Sequence, residues 1–248
     1  MYHMNVWLIH PGELLPVVDG NPRLFRYSYF ADALALHGHR VVRFAPTFAH
    51  ATKYLRADSD RRVQISDSYE LQLLHAGTYY NHRGPARFRF YQRLASKFAR
   101  HAPTLVRPDI IVCGIPTAGL CRESLILGER WNIPVVLDVR DLWPDVYLNL
   151  FPGFARSLGR AMLTPLYRQM GTYLAKASGR IAVSRQYMDW AVSLSRKPAG
   201  ANDKVIYLGS SPVPEAEPDG EWLTSHGIDR ERLLICFAGQ FEATYDID

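Results

Sequence analysis

The segment VVLDVRDLWPDV, residues 135–146, places charged and aromatic side chains directly after an apolar run. Arg140 and Asp141 follow the apolar residues, and Trp143 stands two positions further on. A guanidinium group matches a phosphate in two-pronged geometry, and a carboxylate can orient a hydroxyl group or accept its proton. An indole ring can pack on the face of a sugar. The segment therefore predicts a site for a polar, phosphate-bearing substrate, with Asp141 as the catalytic residue and Arg140 and Trp143 as binding residues.

Each of these residues also has a purely structural interpretation. Asp141 could cap a helical turn that has Pro144 near its start. Trp143 could belong to the core beneath the site, and Asp138 could be the buried partner of an arginine. The convergence of charged and aromatic residues in one short segment favours a site for the cluster as a whole.

Strand-like and helix-like runs alternate along the chain. Apolar runs predict strands over 5–10, 39–45, 108–114, 133–139, 179–184 and 203–209, and two short strands flank a turn within 61–76. Apolar residues at helical spacing predict helices over 24–38, 86–102, 117–132, 153–177 (broken near Pro165) and 184–195. This alternation predicts an α/β fold, a Rossmann-like parallel sheet with helices on both faces. Residues 140–146 then leave a central strand at its carboxyl end, where such sheets bind their ligands.

The last part of the sequence predicts a second domain. Residues 210–220 are rich in Pro and acidic residues and lack periodicity, which is typical of a linker. A short helix and a strand over 233–239 follow, and a lone strand cannot bury its faces. We therefore expect a first domain over 1–209 and an incomplete second Rossmann-like domain over 221–248, in a protein that continues or has been cut short.

Composition and motifs argue against several classes of protein. The three cysteines form no CxxC pair, which predicts buried free thiols in a reducing cytoplasm and not a disulfide framework. We see no secretory signal, and no apolar run approaches the roughly 20 residues of a membrane span. No dinucleotide fingerprint, P-loop, nucleophile elbow or metal-ligand spacing occurs.

Positive charge is concentrated in two segments. Residues 83–107 carry seven Lys or Arg and residues 151–185 carry six, and neither segment contains an acidic residue. In the first, an apolar stripe predicts a helix packed on the sheet with a solvated basic face; its members are Phe88, Tyr91, Leu94, Ala95 and Phe98. A basic face favours an anionic membrane surface. No motif typical of nucleic-acid binding accompanies the charge, so nucleic acid is not an expected partner.

The order of these motifs resembles a known family. A strand, a loop, an Arg at the start of a helix, and Gly-His before the next strand lead to DVRDLWPDV, and RIAVS, VIYLG and LLICFAGQF follow. The whole chain resembles the amino-terminal, acceptor-side domain of a GT-B retaining glycosyltransferase of family 4, of the bacterial capsule, exopolysaccharide or O-antigen type. In that family two Rossmann-like domains face each other across a cleft. The first binds the acceptor, the second binds the nucleotide sugar, and no metal is needed.

The resemblance implies further substrate-binding residues on the acceptor side. Gly12 and Gly20 are the candidates for the first-loop glycine that approaches the substrates. Arg26 opens the first helix where relatives carry an arginine. Arg140 occupies the position where many relatives carry a histidine, which favours a charge-bearing contact.

On the donor side, the resemblance places Gly239 and Gln240 after the first strand of the second domain, as donor-binding residues. Relatives bind the nucleotide sugar through a basic pair and a Glu-x7-Glu motif. The residues after 237 contain no Lys or Arg. The donor half is therefore absent from this sequence, and the chain alone is expected to be inactive.

The function implied is transfer of a hexose from a nucleotide sugar to a lipid-linked saccharide acceptor in surface polysaccharide or lipopolysaccharide biosynthesis. The nucleotide sugar would be a co-substrate, with no cofactor and no metal. The expected location is the cytoplasm, with peripheral attachment to the inner face of the cell membrane. Two alternatives stay open: a non-catalytic module that binds a glycan or glycolipid, and a GT-B-like sugar-nucleotide epimerase.

Overall fold

A computed structural model describes residues 3–20, 23–80, 84–210, 220–229, 232–233 and 235. Ten strands are found within them: β1 (Asn5–Ile9), β2 (Arg40–Pro46), β3 (Phe48–Ala49), β4 (Tyr54–Leu55), β5 (Arg61–Ser66), β6 (Tyr69–Leu74), β7 (Ile110–Ile115), β8 (Val135–Val139), β9 (Gly179–Ala182) and β10 (Lys204–Val205). Strands β3 and β4 pair only with each other. The other eight form one sheet in the order β10–β9–β8–β7–β1–β2–β6–β5.

Neighbouring strands of this sheet run parallel except for β5, which is antiparallel to β6. The predicted α/β fold with a mostly parallel sheet is therefore confirmed. From β1 the chain builds the sheet outward through β2, then returns to the other side of β1 to add β7, β8, β9 and β10. The strand order thus reverses between β1 and β7. Open sheets of this kind bind ligands at the carboxyl ends of the strands beside such a reversal.

Helices cover both faces of the sheet. The helices of this unit are α1 (Arg26–Leu36), α2 (Pro85–His101), α3 (Ala118–Trp131), α4 (Arg156–Met162), α5 (Thr164–Lys176) and α6 (Arg185–Ser195), and a further helix, α7 (Gly220–Ser225), belongs to the second unit of the chain. Alternate residues of β1 point to opposite faces: Val6 and Leu8 join the core beneath α1, whereas Trp7 and Ile9 join the core beneath α2, α3, α5 and α6. This two-sided burial explains why the central strands are continuously apolar.

Local sequence signals set several helix ends. Ser184 precedes α6, and its hydroxyl accepts a hydrogen bond from the backbone N–H of Tyr187 at 3.3 Å. Helix α3 ends at Asn132, which adopts the left-handed conformation with φ 55°. The predicted break near Pro165 is confirmed: α4 ends at Met162, and Pro165 lies in the first turn of α5.

Two local expectations differ from the structure. Phe88 was expected in the packed stripe of α2, but it is 65% exposed, and Phe90 is buried in its place. The strand expected over 203–209 is limited to β10, and beyond it the carbonyl groups of Ile206 and Tyr207 accept hydrogen bonds from Arg26. The first difference concerns which apolar residue of a helix packs on the sheet, and the second concerns the length of a strand; both elements exist where the sequence predicts them.

Two of the three cysteines lie in the described part of the chain. Cys113 and Cys121 are buried and free, which confirms the expectation for these two, and Cys236 lies outside the described residues. Cys113 and Cys121 are eight positions apart in the sequence, and their sulfur atoms lie 3.8 Å from each other.

The chain divides into two compact units, Met1–Ser210 and Ser211–Asp248. In the second unit the described residues include α7, whereas the expected linker and most of the strand over 233–239 lie outside them. The expected domain boundaries therefore stay predictions. Within the described segments, we find no helix with the length and apolar character needed to cross a membrane.

Candidate functional site

The candidate site lies at the carboxyl ends of three neighbouring strands, β1, β7 and β8. The residues that these strand ends bring together are His10, Gly12 and Glu13 after β1, Gly114 near the end of β7, and Arg140 and Asp141 after β8. This placement follows from the parallel sheet, because all three strands end at the same edge. The DVRD segment is therefore at the ligand-binding edge that the sequence predicts for it.

Glu13 joins the loop after β1 to the strand end that carries Arg140. The Arg140 Nη1 group donates to Glu13 Oε1. The other carboxylate oxygen accepts from Arg43 Nη2 at 3.1 Å and from the backbone N–H of Tyr27 at 3.0 Å. Glu13 and Arg43 are buried, so each charge depends on the other for compensation. Glu13 is not among the residues predicted for the site, although its position just after the first strand is a signal that could have indicated it.

Arg140 keeps part of its guanidinium available. Its side chain is partly exposed and lies over the ring of Tyr27, with Cζ 5.6 Å from the ring centroid. Among the described residues, Nε and Nη2 have no hydrogen-bond partner, and a guanidinium carries five N–H donors. Arg140 can therefore bind an anionic group while Glu13 holds its other side. The phosphate contact itself stays a prediction.

Arg26 does not face the site in the way the sequence analysis expected. Its Nε and Nη2 groups donate to the two carboxylate oxygens of Asp138, at 3.0 and 3.1 Å, and Nη1 donates to the Ile206 carbonyl at 2.6 Å. Asp138 is thus the buried partner of an arginine, as its structural interpretation proposed. These contacts hold the guanidinium of Arg26 against β8 and the chain after β10, and the substrate contact expected for Arg26 stays a prediction.

Asp141 is partly exposed and forms no salt bridge with any described residue. Burial raises the pKa of its carboxyl group above the ordinary value, while the Leu142 N–H and the Arg87 charge act in the opposite direction. A raised pKa makes a carboxylate a better proton acceptor. The turn that follows, Asp145–Leu150, begins after Pro144, so Asp141 does not cap it.

Two other residues of the segment contact the protein interior. Trp143 is partly buried and packs against the core. Its ring meets that of Tyr147 edge to face, with the ring centroids 6.4 Å apart. Asp145 accepts hydrogen bonds from Tyr167 Oη and Trp190 Nε1, which ties the segment to α5 and α6. Trp143 therefore fits its core interpretation at least in part, and a contact with sugar through its exposed portion stays a prediction.

The two glycines of the first loop differ in surroundings. Gly20 adopts φ +82° and pairs with Val17 in an isolated bridge, and no atom lies within 4 Å of a Cβ built on it. Gly12 is exposed and lies against the imidazole of His10. Of the two, Gly12 is the one beside the other residues of the strand ends. The expected donor residues Gly239 and Gln240 lie outside the described residues.

His10 is the second residue that the sequence analysis missed. It is 8% exposed, and its ring stacks on Tyr27 with the centroids 5.0 Å apart. Burial, together with the nearby charges of Arg140 and Arg43, lowers the pKa of His10 well below its ordinary value. The imidazole is therefore neutral near pH 7. Its position in HPGE, directly after the first strand, is the sequence signal that could have found it.

A groove of the described surface lies elsewhere. It has a volume of about 870 Å³, lies between α5 and α6, and carries basic side chains such as Arg168 and Lys176. No residue of the strand ends after β1, β7 or β8 lines it. We place the candidate site at the strand ends because Glu13, Arg140 and Asp141 converge there.

Comparison with known proteins agrees with this fold. The model of glycosyltransferase family 4 matches residues 27–209. No curated protein matches the sequence.

Three solved structures are similar to the chain. A structure of part of sucrose-phosphate synthase from Thermosynechococcus elongatus is 16% identical, with 84% of this chain and 90% of that chain covered and a TM-score of 0.52. A longer structure of that protein gives 15% identity, 83% and 48% coverage, and a TM-score of 0.55. The catalytic domain of starch synthase IV from Arabidopsis thaliana, bound to ADP and acarbose, gives 12% identity, 84% and 52% coverage, and a TM-score of 0.52. The chain thus spans about half the length of the two longer structures, and at these identities the likeness concerns the fold.

Proposed function

The chain belongs to glycosyltransferase family 4, and from this membership we propose that it serves sugar transfer from a nucleotide sugar to a saccharide acceptor held at the carboxyl edge of the sheet. The observation that carries the proposal is the meeting of Arg140 and Asp141 with the Glu13 loop at that edge. The fold and the family are compatible with many substrates, so the catalytic and binding roles proposed here rest on these three side chains.

Asp141 is the residue proposed to act on the acceptor. In the transfer, the bond between the anomeric carbon and the donor phosphate breaks and a bond to the acceptor hydroxyl oxygen forms. The hydroxyl loses its proton, and the Asp141 carboxylate, with its raised pKa, is placed to orient that hydroxyl or accept the proton. We expect retention of the anomeric configuration, as in the family.

Arg140 is proposed to stabilise negative charge on a phosphate of a substrate. Charge develops on the departing diphosphate, and a preorganised guanidinium stabilises it without reorganisation during the reaction. Glu13 supplies that preorganisation, since it fixes one side of the Arg140 guanidinium. The nucleotide sugar is a co-substrate in this proposal, and no metal takes part.

We further propose that the acceptor is lipid-linked, in the synthesis of a surface polysaccharide, and that the protein binds the cytoplasmic face of an anionic membrane. An exposed apolar ridge supports this proposal; it consists of Leu150, Phe154, Leu158 and Met162. Phe154 is 93% exposed, and Leu158 and Met162 lie one turn apart on α4. Arg156 and Arg160 belong to the same stretch of the chain, and residues 151–185 contain no acidic residue. Apolar side chains bordered by arginine suit the interface of an anionic bilayer.

Vesicle flotation tests the membrane proposal. We expect vesicles that contain phosphatidylglycerol to retain the protein at low salt and pure phosphatidylcholine vesicles to retain much less. A double substitution, Phe154→Ser with Leu158→Ser, should weaken retention. Leu36→Ser is the matched control, because Leu36 is 85% exposed on α1. Absence of retention by anionic vesicles at low salt would disprove membrane attachment.

Label transfer tests the catalytic proposal. The protein expressed from its complete gene is incubated with radiolabelled nucleotide sugars and host membranes, and label in the lipid extract is counted. Asp141→Asn should lower kcat roughly 100-fold or more, which is the usual range for loss of a general base. Conversion of the nucleotide sugar to an epimer without transfer would favour the epimerase, and glycolipid binding without turnover would favour the binding module.

A further inference from the structure

His10 combines burial with unused hydrogen-bonding capacity. It follows β1 directly, beside the reversal of strand order between β1 and β7. Its Nδ1 atom is buried and has no hydrogen-bond partner among the described residues, and the same holds for Tyr27 Oη, in the ring on which it stacks. Buried polar atoms are nearly always paired in native proteins, so each unpaired one requires an explanation.

Two glycines shape the space around this imidazole. A Cβ atom on Gly114 would lie 2.6 Å from His10 Nδ1 and 3.1 Å from Tyr27 Oη. A Cβ atom on Gly12 would lie 3.3 Å from His10 Nε2. Neither glycine has a positive φ, so the backbone conformation alone does not require glycine at these positions. What both positions provide is room beside the two ring nitrogens.

The surroundings also define the chemical state of the ring. Arg140 and Arg43 add to the effect of burial and disfavour the imidazolium, so the ring is neutral. A neutral imidazole has one nitrogen that donates and one that accepts a hydrogen bond, which matches a hydroxyl group, itself both donor and acceptor. A phosphate or carboxylate would instead be drawn to Arg140, which lies close by.

From these contacts we propose that His10 is a substrate-binding residue of the transfer site. Its Nε2 atom, on the side of Gly12, hydrogen-bonds a sugar hydroxyl of the acceptor that approaches over Gly12, while the buried Nδ1 stays beside Gly114 and Tyr27. This inference rests on the proposed function. It divides the site by chemistry: Arg140 binds an anionic group, Asp141 acts on the reacting hydroxyl, and His10 recognises a further hydroxyl of the same acceptor.

Substitutions at His10 separate this role from a structural one. His10→Phe keeps a ring on Tyr27 and removes both ring nitrogens, including Nε2 on the Gly12 side. We expect a melting temperature no lower than that of the wild type, a KM for the acceptor raised about tenfold, and an unchanged KM for the donor. His10→Asn, which retains a hydrogen-bonding amide, should recover part of the affinity. The acceptor is the lipid-linked saccharide fraction from host membranes, and the full-length protein is used.

Gly12→Ala provides a test that leaves the imidazole in place. Its methyl group would cover Nε2, so it should also raise the acceptor KM, whereas Gly153→Ala, which meets no atom within 4 Å, should not. The inference is overturned if Gly12→Ala and every folded His10 variant keep the wild-type acceptor KM. If the wild type itself transfers no sugar, the proposed function fails instead, so the two failures are distinguishable.

Discussion

Arg26 and Asp138 meet across 112 residues of sequence in a buried ion pair with two hydrogen bonds. The pair connects the first turn of α1 to β8, two residues before Arg140. Burial raises the pKa of Asp138, and the Arg26 guanidinium offsets part of that effect. The strand end that carries Arg140 and Asp141 is therefore tied to α1 by a buried charge pair, on the face of the sheet where Arg140 contacts Tyr27.

Asp138→Asn should lower the free energy of unfolding by about 3–5 kcal/mol, because it leaves the Arg26 charge buried without its counterpart. Urea unfolding of the purified protein measures this change. Arg130→Ala removes an exposed arginine of α3 and serves as the control, with an expected change within about 0.5 kcal/mol. Equal stability of Asp138→Asn and the wild type would show that the pair contributes nothing to the fold.

Arg140→Lys should lower kcat/KM for sugar transfer by roughly 10–100-fold while the melting temperature changes by only a few degrees. Lysine keeps the positive charge beside Glu13 but lacks the planar fork that binds a phosphate with two hydrogen bonds. Steady-state label transfer gives the kinetic constants, and Arg168→Lys in the α5–α6 groove is the matched control. Full activity of Arg140→Lys would exclude two-pronged phosphate binding by this residue.

The order of strands and helices was predictable from sequence because each element carries its own signal. The apolar runs that became β7 and β8 are short and continuous, which is typical of strands buried on both faces. Periodicity failed within α2, where Phe88 and Phe90 both continue the pattern toward Leu94 and Phe98. Only the packing of the helix on the sheet decides that Phe90 is the buried one.

The site was predictable in part, for a similar reason. Arg140 and Asp141 stand out in the sequence because they interrupt a buried strand, and the structure brings them to the ligand edge. Glu13 and His10 give no such contrast, since they lie in a loop rich in glycine and proline. Their roles arise from contacts with Arg43, Tyr27 and Arg140, and these partners lie up to 127 residues away in the sequence.

His10 should make the stability of the protein depend on pH. The unfolded chain binds a proton at His10 below a pKa of about 6.5, whereas the folded pKa is well below that value. Between these values the unfolded state binds more protons, so stability rises with pH and is lost as the pH falls below about 6.5. His10 can change the free energy of unfolding by at most about 1.4 kcal/mol for each pH unit between the two pKa values.

Urea unfolding of the wild type and His10→Asn between pH 7.5 and 5.5 measures this contribution. As the pH falls, the free energy of unfolding should decrease more for the wild type than for His10→Asn. The groups that act on the ring are Arg140 and Arg43, and neither titrates in this range. If the free energies of unfolding of the two proteins changed with pH in parallel, His10 would have the same pKa in the folded and the unfolded state.

Gly171→Ala should destabilise the protein by about 1–3 kcal/mol, even though alanine favours helices more than glycine does. Gly171 lies in α5 where α6 crosses closely, and a Cβ atom there would approach the Leu194 carbonyl oxygen to 2.5 Å. Because that atom belongs to the backbone, relief requires the two helices to separate. Gly153→Ala adds the same methyl group in open space and should leave stability unchanged or slightly raised. Thermal unfolding of both variants measures the difference, and equal melting temperatures would contradict the close contact of α5 and α6.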